Sequence, residues 1–282
     1  MSSRLLSVAL ALLVLLPPAR VFDSGTDLAR IFVERVDRRL EIPAEEKQRY
    51  AVLLSKALAS AGLATLTSQF FMLVDRDPKV QAVMIFWKSP EGDFQFIGAS
   101  PASTGKPGEF EHFETPTGVF DHSTANLDFR AEGTRNEYGI RGYGRKGMRV
   151  YDFGWQEAVR GWGTFGESFM RLQMHSTDPD MLEPRVGSPQ SKGCIRIPAA
   201  LNVFIDHYGI LDADYERAAA EGKTMWMLRP DREPTPWSGS YLVIVDSELT
   251  QRPDWSPQPS RRTERMRGMD PSDLVHSIWF AG

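Results

Sequence analysis

Apolar side chains at Leu28, Ile31, Phe32, Val36 and Leu40 recur every three or four residues, the spacing of one face of an α-helix. Pro43 interrupts that rhythm, and Tyr50, Leu53, Leu54, Leu58 and Leu63 resume it. The pattern predicts a helical hairpin packed on whatever follows. From Phe70 the period changes. Residues 70–74 and 82–87 are continuous apolar runs of strand length, separated by Asp75-Arg76-Asp77-Pro78. Phe94, Phe96 and their polar neighbours alternate in period two after the turn Ser89-Pro90-Glu91-Gly92-Asp93. These three strands read as an antiparallel meander. Residues 126–153 suggest further short strands, punctuated by Gly139, Gly142, Gly144 and Gly147. Residues 198–208 form a helix with Pro198 in its first turn and Gly209 just past its end, burying Leu201, Phe204, Ile205 and Tyr208. A shorter helix over 212–221 stops at Gly222, and residues 224–228 and 241–245 are expected as late strands.

The two ends have a different texture. Arg4 precedes an apolar run over residues 5–16, which Pro17-Pro18-Ala19 closes. A membrane span needs ~20 apolar residues, so the run reads as a secretory signal peptide over residues 1–20, with an uncleaved anchor as the alternative. Either way, export to the periplasm or cell envelope is expected. The divisions that follow are a helical region at 21–66, a main domain at 67–248 and a Pro- and Arg-rich tail at 249–282. Arg261, Arg262, Arg265 and Arg267 in that tail read as a solvated charge run, and residues 274–280 as a segment able to dock on the domain.

Composition adds two constraints. Lys and Arg number 33 against 37 Asp and Glu, a net charge of −4, so no basic surplus exists to neutralise nucleic acid phosphates. The single cysteine, Cys194, rules out an intrachain disulfide. A lone thiol in an exported chain is unusual unless it does chemistry.

Cys194 lies in Ser191-Lys192-Gly193-Cys194-Ile195-Arg196, with His175 upstream across residues 176–190. A thiol attacks carbonyls as its thiolate, and a free cysteine titrates near ~8.5, so something must favour ionisation. His175 could take the proton. The helix that opens at Pro198 offers unpaired N–H groups and a partial positive charge. Gly193 lets a substrate approach the backbone, and the N–H groups of Lys192, Gly193 and Cys194 could face a developing oxyanion. His112, His122, His207 and His276 have no partner spacing and read as structural or surface residues. No metal-binding pattern occurs. The order of histidine before cysteine is the reverse of that in papain-like peptidases.

His175 followed by Ser191-Lys192-Gly193-Cys194-Ile195-Arg196 resembles the signature of the L,D-transpeptidase (YkuD-type) catalytic domain. Ser103-Thr104-Gly105-Lys106-Pro107 and Thr115-Pro116-Thr117-Gly118 resemble that family's strand-flanking segments, and the likeness covers roughly residues 68–230. Lys192 stands where many members have histidine. The resemblance implies a mixed α+β fold, mostly a β sandwich or barrel-like domain. It implies Cys194 as the acylated nucleophile and His175 as base and then acid, its imidazole oriented by the Ser176 carbonyl. Arg196 would hold the motif loop or the donor peptide, and Ser191 would shape the loop. Asp178 and Asp180 read as loop or cap residues. The implied reaction moves the acyl group of a peptidoglycan stem peptide from D-alanine to an amine, on a second stem or a lysine-bearing envelope protein. No cofactor is called for. Transfer of the same acyl group to water, as a hydrolase, is the alternative, and a non-catalytic wall-binding protein is the third.

Overall fold

The computed structural model describes residue 22 and residues 24–258. The proposed signal segment, the arginine cluster at 261–267, the docking segment at 274–280 and His276 lie outside them. Two helices open the described chain, α1 (Asp27–Arg35) and α2 (Ala44–Ser60). They are followed by β1 (Phe70–Asp75), β2 (Ala82–Lys88), β3 (Phe94–Pro101), β4 (Gly118–Asp121), β5 (Phe129–Arg130), β6 (Arg149–Val159), β7 (Glu167–Ser176) and β8 (Ile195–Ile197). The last elements are α3 (Ala199–Tyr208), α4 (Ala213–Ala220) and β9 (Tyr241–Val245). The fold is mixed α+β, dominated by two mixed sheets of order β3-β2-β1-β9-β4 and β5-β6-β7-β8.

The first three strands form the antiparallel meander that their alternating runs and turns dictate. β9 then returns parallel to β1, pairing Leu73 with Val243, so the far end of the chain closes this sheet. Continuous apolar runs are what a sheet covered on both faces requires. Phe70, Met72 and Val74 enter one core, and Phe71 and Leu73 enter another.

The helices divide between those two cores, which corrects the expected hairpin. Tyr50, Leu54 and Leu58 of α2 cover the Phe71 face. Leu28, Ile31 and Phe32 of α1 cover the Met72 face, together with Leu201 and Phe204 of α3. The second sheet packs against that same face through Tyr151, Leu172, Met174, Ile195 and Ile197. Each stripe was legible as helical, but a stripe does not say which side of a sheet it will cover.

One more expectation fails and another is met only in part. Residues 224–228 form a turn, closed by Leu228 N–H to the Met225 carbonyl, and Trp226 is exposed. Residues 126–153 contribute only the short β5 and the start of β6, with glycine-rich loop between them. Among the described residues no helix is long and apolar enough to cross a membrane.

Candidate active site

β7 and β8 run parallel, with Met174 opposite Ile195 and His175 opposite Arg196. Leu172, Met174, Ile195 and Ile197 point into the core. Successive side chains on a strand alternate between faces. Arg171, Gln173 and His175 of β7 therefore share the other face with Arg196 and with Cys194, one residue before β8. The motif cysteine and the upstream histidine are brought to one face of adjacent strands.

The His175 ring is buried, and its Nδ1–H donates to the Ser176 carbonyl at 2.5 Å. That bond leaves Nε2 as the basic nitrogen. Burial, and then the positive charge of Arg196, lower the imidazole pKa to about 3, against the pull of the Ser176 carbonyl. Cys194 is 8% exposed, and burial pushes its thiol up to about 11. The Gln173 backbone and Arg196 oppose that rise. The resting pair is thus a neutral thiol and a neutral imidazole. Cys194 Sγ donates to the Arg171 carbonyl at 3.7 Å. Nucleophile–base contacts that are loose without substrate are common in enzymes.

The expected help from a helix N-terminus is absent. β8 separates Cys194 from α3 by ~10 Å of extended chain, and the Ala199 N–H at the head of α3 donates to Glu183 Oε2 at 2.8 Å. The carboxylate of Glu183, not the thiolate, occupies that position.

The segments on either side of the motif hold it in shape. Ser103 and Arg196 exchange backbone hydrogen bonds at 2.9 and 2.8 Å, and Gln190 and Ser191 both donate to the Thr104 carbonyl. Gly105 pairs with Ser191, and a Cβ at Gly105 would sit 2.0 Å from the Phe113 carbonyl, so no larger residue fits there. Ser191 Oγ donates to the Cys194 carbonyl and accepts from Gly193 N–H at 3.0 Å. The Gly193 N–H is therefore engaged within the loop in this state, rather than turned to an oxyanion. Gly193 has φ +129°, a region that favours glycine. Its carbonyl accepts from Thr115 Oγ1 at 2.7 Å. Lys192 directs its buried side chain to Glu111 at 2.9 Å, and its carbonyl accepts from Phe113 N–H. Arg196 Nη1 donates to the Gln190 carbonyl at 3.1 Å, while its Nε is buried with no hydrogen-bond partner among the described residues.

Four further side chains complete the site. Tyr143 sets its ring edge on His175 at 4.7 Å between centroids, and its hydroxyl donates to Gln173 Oε1 at 3.3 Å. Burial, followed by the nearby Cys194, pushes that hydroxyl up to about 12. Asp152 Oδ2 accepts from Arg171 Nε at 2.7 Å and from Gln173 Nε2 at 2.9 Å. Arg171 and Gln173 stand four and two residues before His175, and that period-two spacing could have marked them in the sequence. Tyr143 and Asp152 arrive through the fold, with no local signal.

Asp178 and Asp180 serve the loop that carries Tyr143. Asp178 accepts from Arg141 N–H at 2.9 Å, and Asp180 pairs with Arg141 at 2.9 Å and with Arg145 at 3.2 Å. His112 and His122 are buried and hydrogen-bonded elsewhere, to the Lys106 carbonyl and to Asp128 and the Leu211 carbonyl. Among the described residues no group of His, Cys, Asp and Glu is arranged to hold a metal ion. No protein-family model matches the chain, and no curated protein matches it.

Proposed function

We propose that this chain is an exported cysteine acyltransferase of the L,D-transpeptidase kind, acting on peptidoglycan stem peptides. The observation that carries the reading is the pairing of His175 opposite Arg196 in parallel strands, which sets Cys194 and a neutral imidazole on one face. In this reading His175 Nε2 takes the thiol proton as Sγ attacks the carbonyl carbon of the stem's diaminopimelate residue. The tetrahedral intermediate collapses by breaking the bond to D-alanine, whose nitrogen takes the proton from His175. A thioester remains on Cys194. An acceptor amine then attacks it, His175 removes the amine proton, and the returning thiolate is reprotonated.

Arg196 supports this chemistry in two ways. Its charge favours the thiolate, and its Nη1 bond to the Gln190 carbonyl at 3.1 Å holds the motif loop. A pKa of about 11 makes a standing thiolate rare at neutral pH, so proton transfer accompanies attack rather than preceding it. Incubation with a tetrapeptide stem, followed by mass spectrometry, tests the reading. Wild type should gain the tripeptide acyl mass and release D-alanine, and Cys194→Ala should gain nothing. An adduct on Cys194→Ala, or none on wild type, overturns it. Adding an amine separates transfer from hydrolysis: a new amide product marks a transferase, and release of tripeptide alone marks a hydrolase.

A further inference from the structure

We propose that the open face of the β6–β7 hairpin is a docking platform for the glycan strand of polymeric peptidoglycan, with Trp155 and Phe169 as its stacking surfaces. The inference rests on the reading above and adds to it the part of the substrate that does not react. Trp155 is 64% exposed and Phe169 65% exposed, although both lie within regular strands rather than loops. Trp155 pairs with Arg171, and Glu157 with Phe169. Arg171 and Phe169 alternate with the buried Met170 and Leu172, so both aromatics stand on the face that carries Gln173, His175 and Cys194. The surface is continuous with the nucleophile: the Arg171 carbonyl that holds Cys194 Sγ belongs to the residue directly opposite Trp155.

Exposed large aromatics in a sheet invite a partner, and three features select a glycan. The flat apolar face of a sugar ring stacks on an indole or phenyl ring. Arg171, a partly exposed neighbour of both rings with its Nε held by Asp152 at 2.7 Å, has Nη donors that suit sugar hydroxyls. The distances also agree. Trp155 is two strands from Cys194, ~10 Å at the usual strand spacing, and Phe169 is ~13 Å along β7 from Gln173. Three stem residues separate the reacting carbonyl from the glycan, and an extended peptide of that length spans ~10 Å. A stem seated at Cys194 would lay its sugar on these rings.

The test uses the full chain in two assays. In the first, Cys194→Ala and Cys194→Ala/Trp155→Ala/Phe169→Ala are pelleted with purified sacculi. In the second, wild type and Trp155→Ala/Phe169→Ala are acylated with a free tetrapeptide or with the disaccharide-linked tetrapeptide. Trp226→Ala, at an exposed tryptophan on the turn closed by Leu228 N–H to the Met225 carbonyl, serves as control, and thermal melts check folding. The platform variant should bind sacculi roughly tenfold or more weakly and lose a similar factor with the glycan-linked substrate, while acylation by free tetrapeptide stays unchanged. Unaltered sacculus binding overturns the platform and leaves the proposed reaction standing. An equal loss with both peptides also overturns it, because the aromatics would then act on the peptide. A change in oligomeric state with binding intact overturns it in favour of a second copy on this face. Platform-dependent binding by a chain that neither substrate acylates supports the platform and refutes the enzyme.

Discussion

The Nδ1–H of His175 donates 2.5 Å to the carbonyl of its own neighbour Ser176, a bond that sets the tautomer without a carboxylate. With burial and Arg196 lowering the imidazole to about 3, His175 stays neutral across the physiological range. An ordinary histidine changes charge near ~6.5; this one does not. Acylation of Cys194 should therefore show no inflection between pH 5 and 8. Alkylation by iodoacetamide should keep climbing with pH toward the thiol's value of about 11. Arg196→Met removes a charge that favours the thiolate and disfavours the imidazolium, so it should shift the alkylation profile further alkaline. An acidic limb near pH 6.5, or an alkaline limb unmoved by Arg196→Met, contradicts this assignment.

Gly193 gives a second prediction. Its φ of +129° is strained for any L side chain, and an added Cβ would lie 2.6 Å from Met170 Sδ and 3.2 Å from Phe113 Cβ. Gly193→Ala should cost ~1–3 kcal/mol of stability. It should also slow acylation about a hundredfold, because displacing reacting groups by ~1 Å carries that penalty. Thr115→Val keeps the shape but removes the donor to the Gly193 carbonyl and the acceptor of Gly105 N–H. Leaving those buried groups unpaired costs ~1–3 kcal/mol, and kcat should fall while KM holds. Stopped-flow acylation with a thermal melt reads both. A KM effect alone would mean that Thr115 touches substrate.

Much of this architecture was legible because strand-length apolar runs bounded by turn residues have few alternatives. Phe71 and Met72 entering different cores is the direct reading of an apolar run without polar gaps. The run Met225-Trp226-Met227-Leu228 misled because it met the same composition test but has no partner strand, and Trp226 stays in solvent. The thiol and imidazole were legible as a motif. Tyr143 and Asp152 were not, since the register of β6 and the loop held by Asp178 and Arg141 deliver them. The helix proposed to ionise Cys194 failed for a local reason: three residues of strand intervene, and Glu183 caps the helix.

Lys192 stands where the resembled family often has histidine, and its side chain is committed to Glu111 at 2.9 Å. Glu111 is half exposed, so the pair is worth no more than ~1 kcal/mol. Lys192→Met keeps the backbone bond from Phe113 N–H to the residue 192 carbonyl and should leave acylation within about threefold of wild type. Any stability difference should shrink in ~1 M salt, where the screening length falls to ~3 Å. Thermal melts at two ionic strengths measure this. A large, salt-independent loss of acylation would give the Lys192 side chain a direct part in the reaction.

Arg149 carries the heaviest electrostatic demand in the core. It is fully buried, with Nε 2.6 Å from Asp128 and Nη1 2.8 Å from Asp212. Asp128 also accepts from His122, whose other ring nitrogen faces the Leu211 carbonyl. Burial lowers the His122 pKa, but the charge and hydrogen bond of Asp128 together with the charge of Asp212 outweigh it, leaving the net shift upward. A raised histidine stabilises the native state below its unfolded value, and that contribution is lost as pH rises through the folded one. Arg149, joined by His122 when that ring is protonated, thus balances a cluster of buried carboxylates. Arg149→Met should cost about 3–5 kcal/mol at pH 7, since removing one partner leaves buried charge uncompensated. The deficit should narrow at pH 5, where Asp128, no longer held low by the guanidinium, is easier to protonate. Denaturant melts at the two pH values measure the difference, and acylation per folded molecule should remain native because Arg149 lies outside the Cys194 face. A pH-independent loss would mean that packing, not charge, keeps Arg149 in the core.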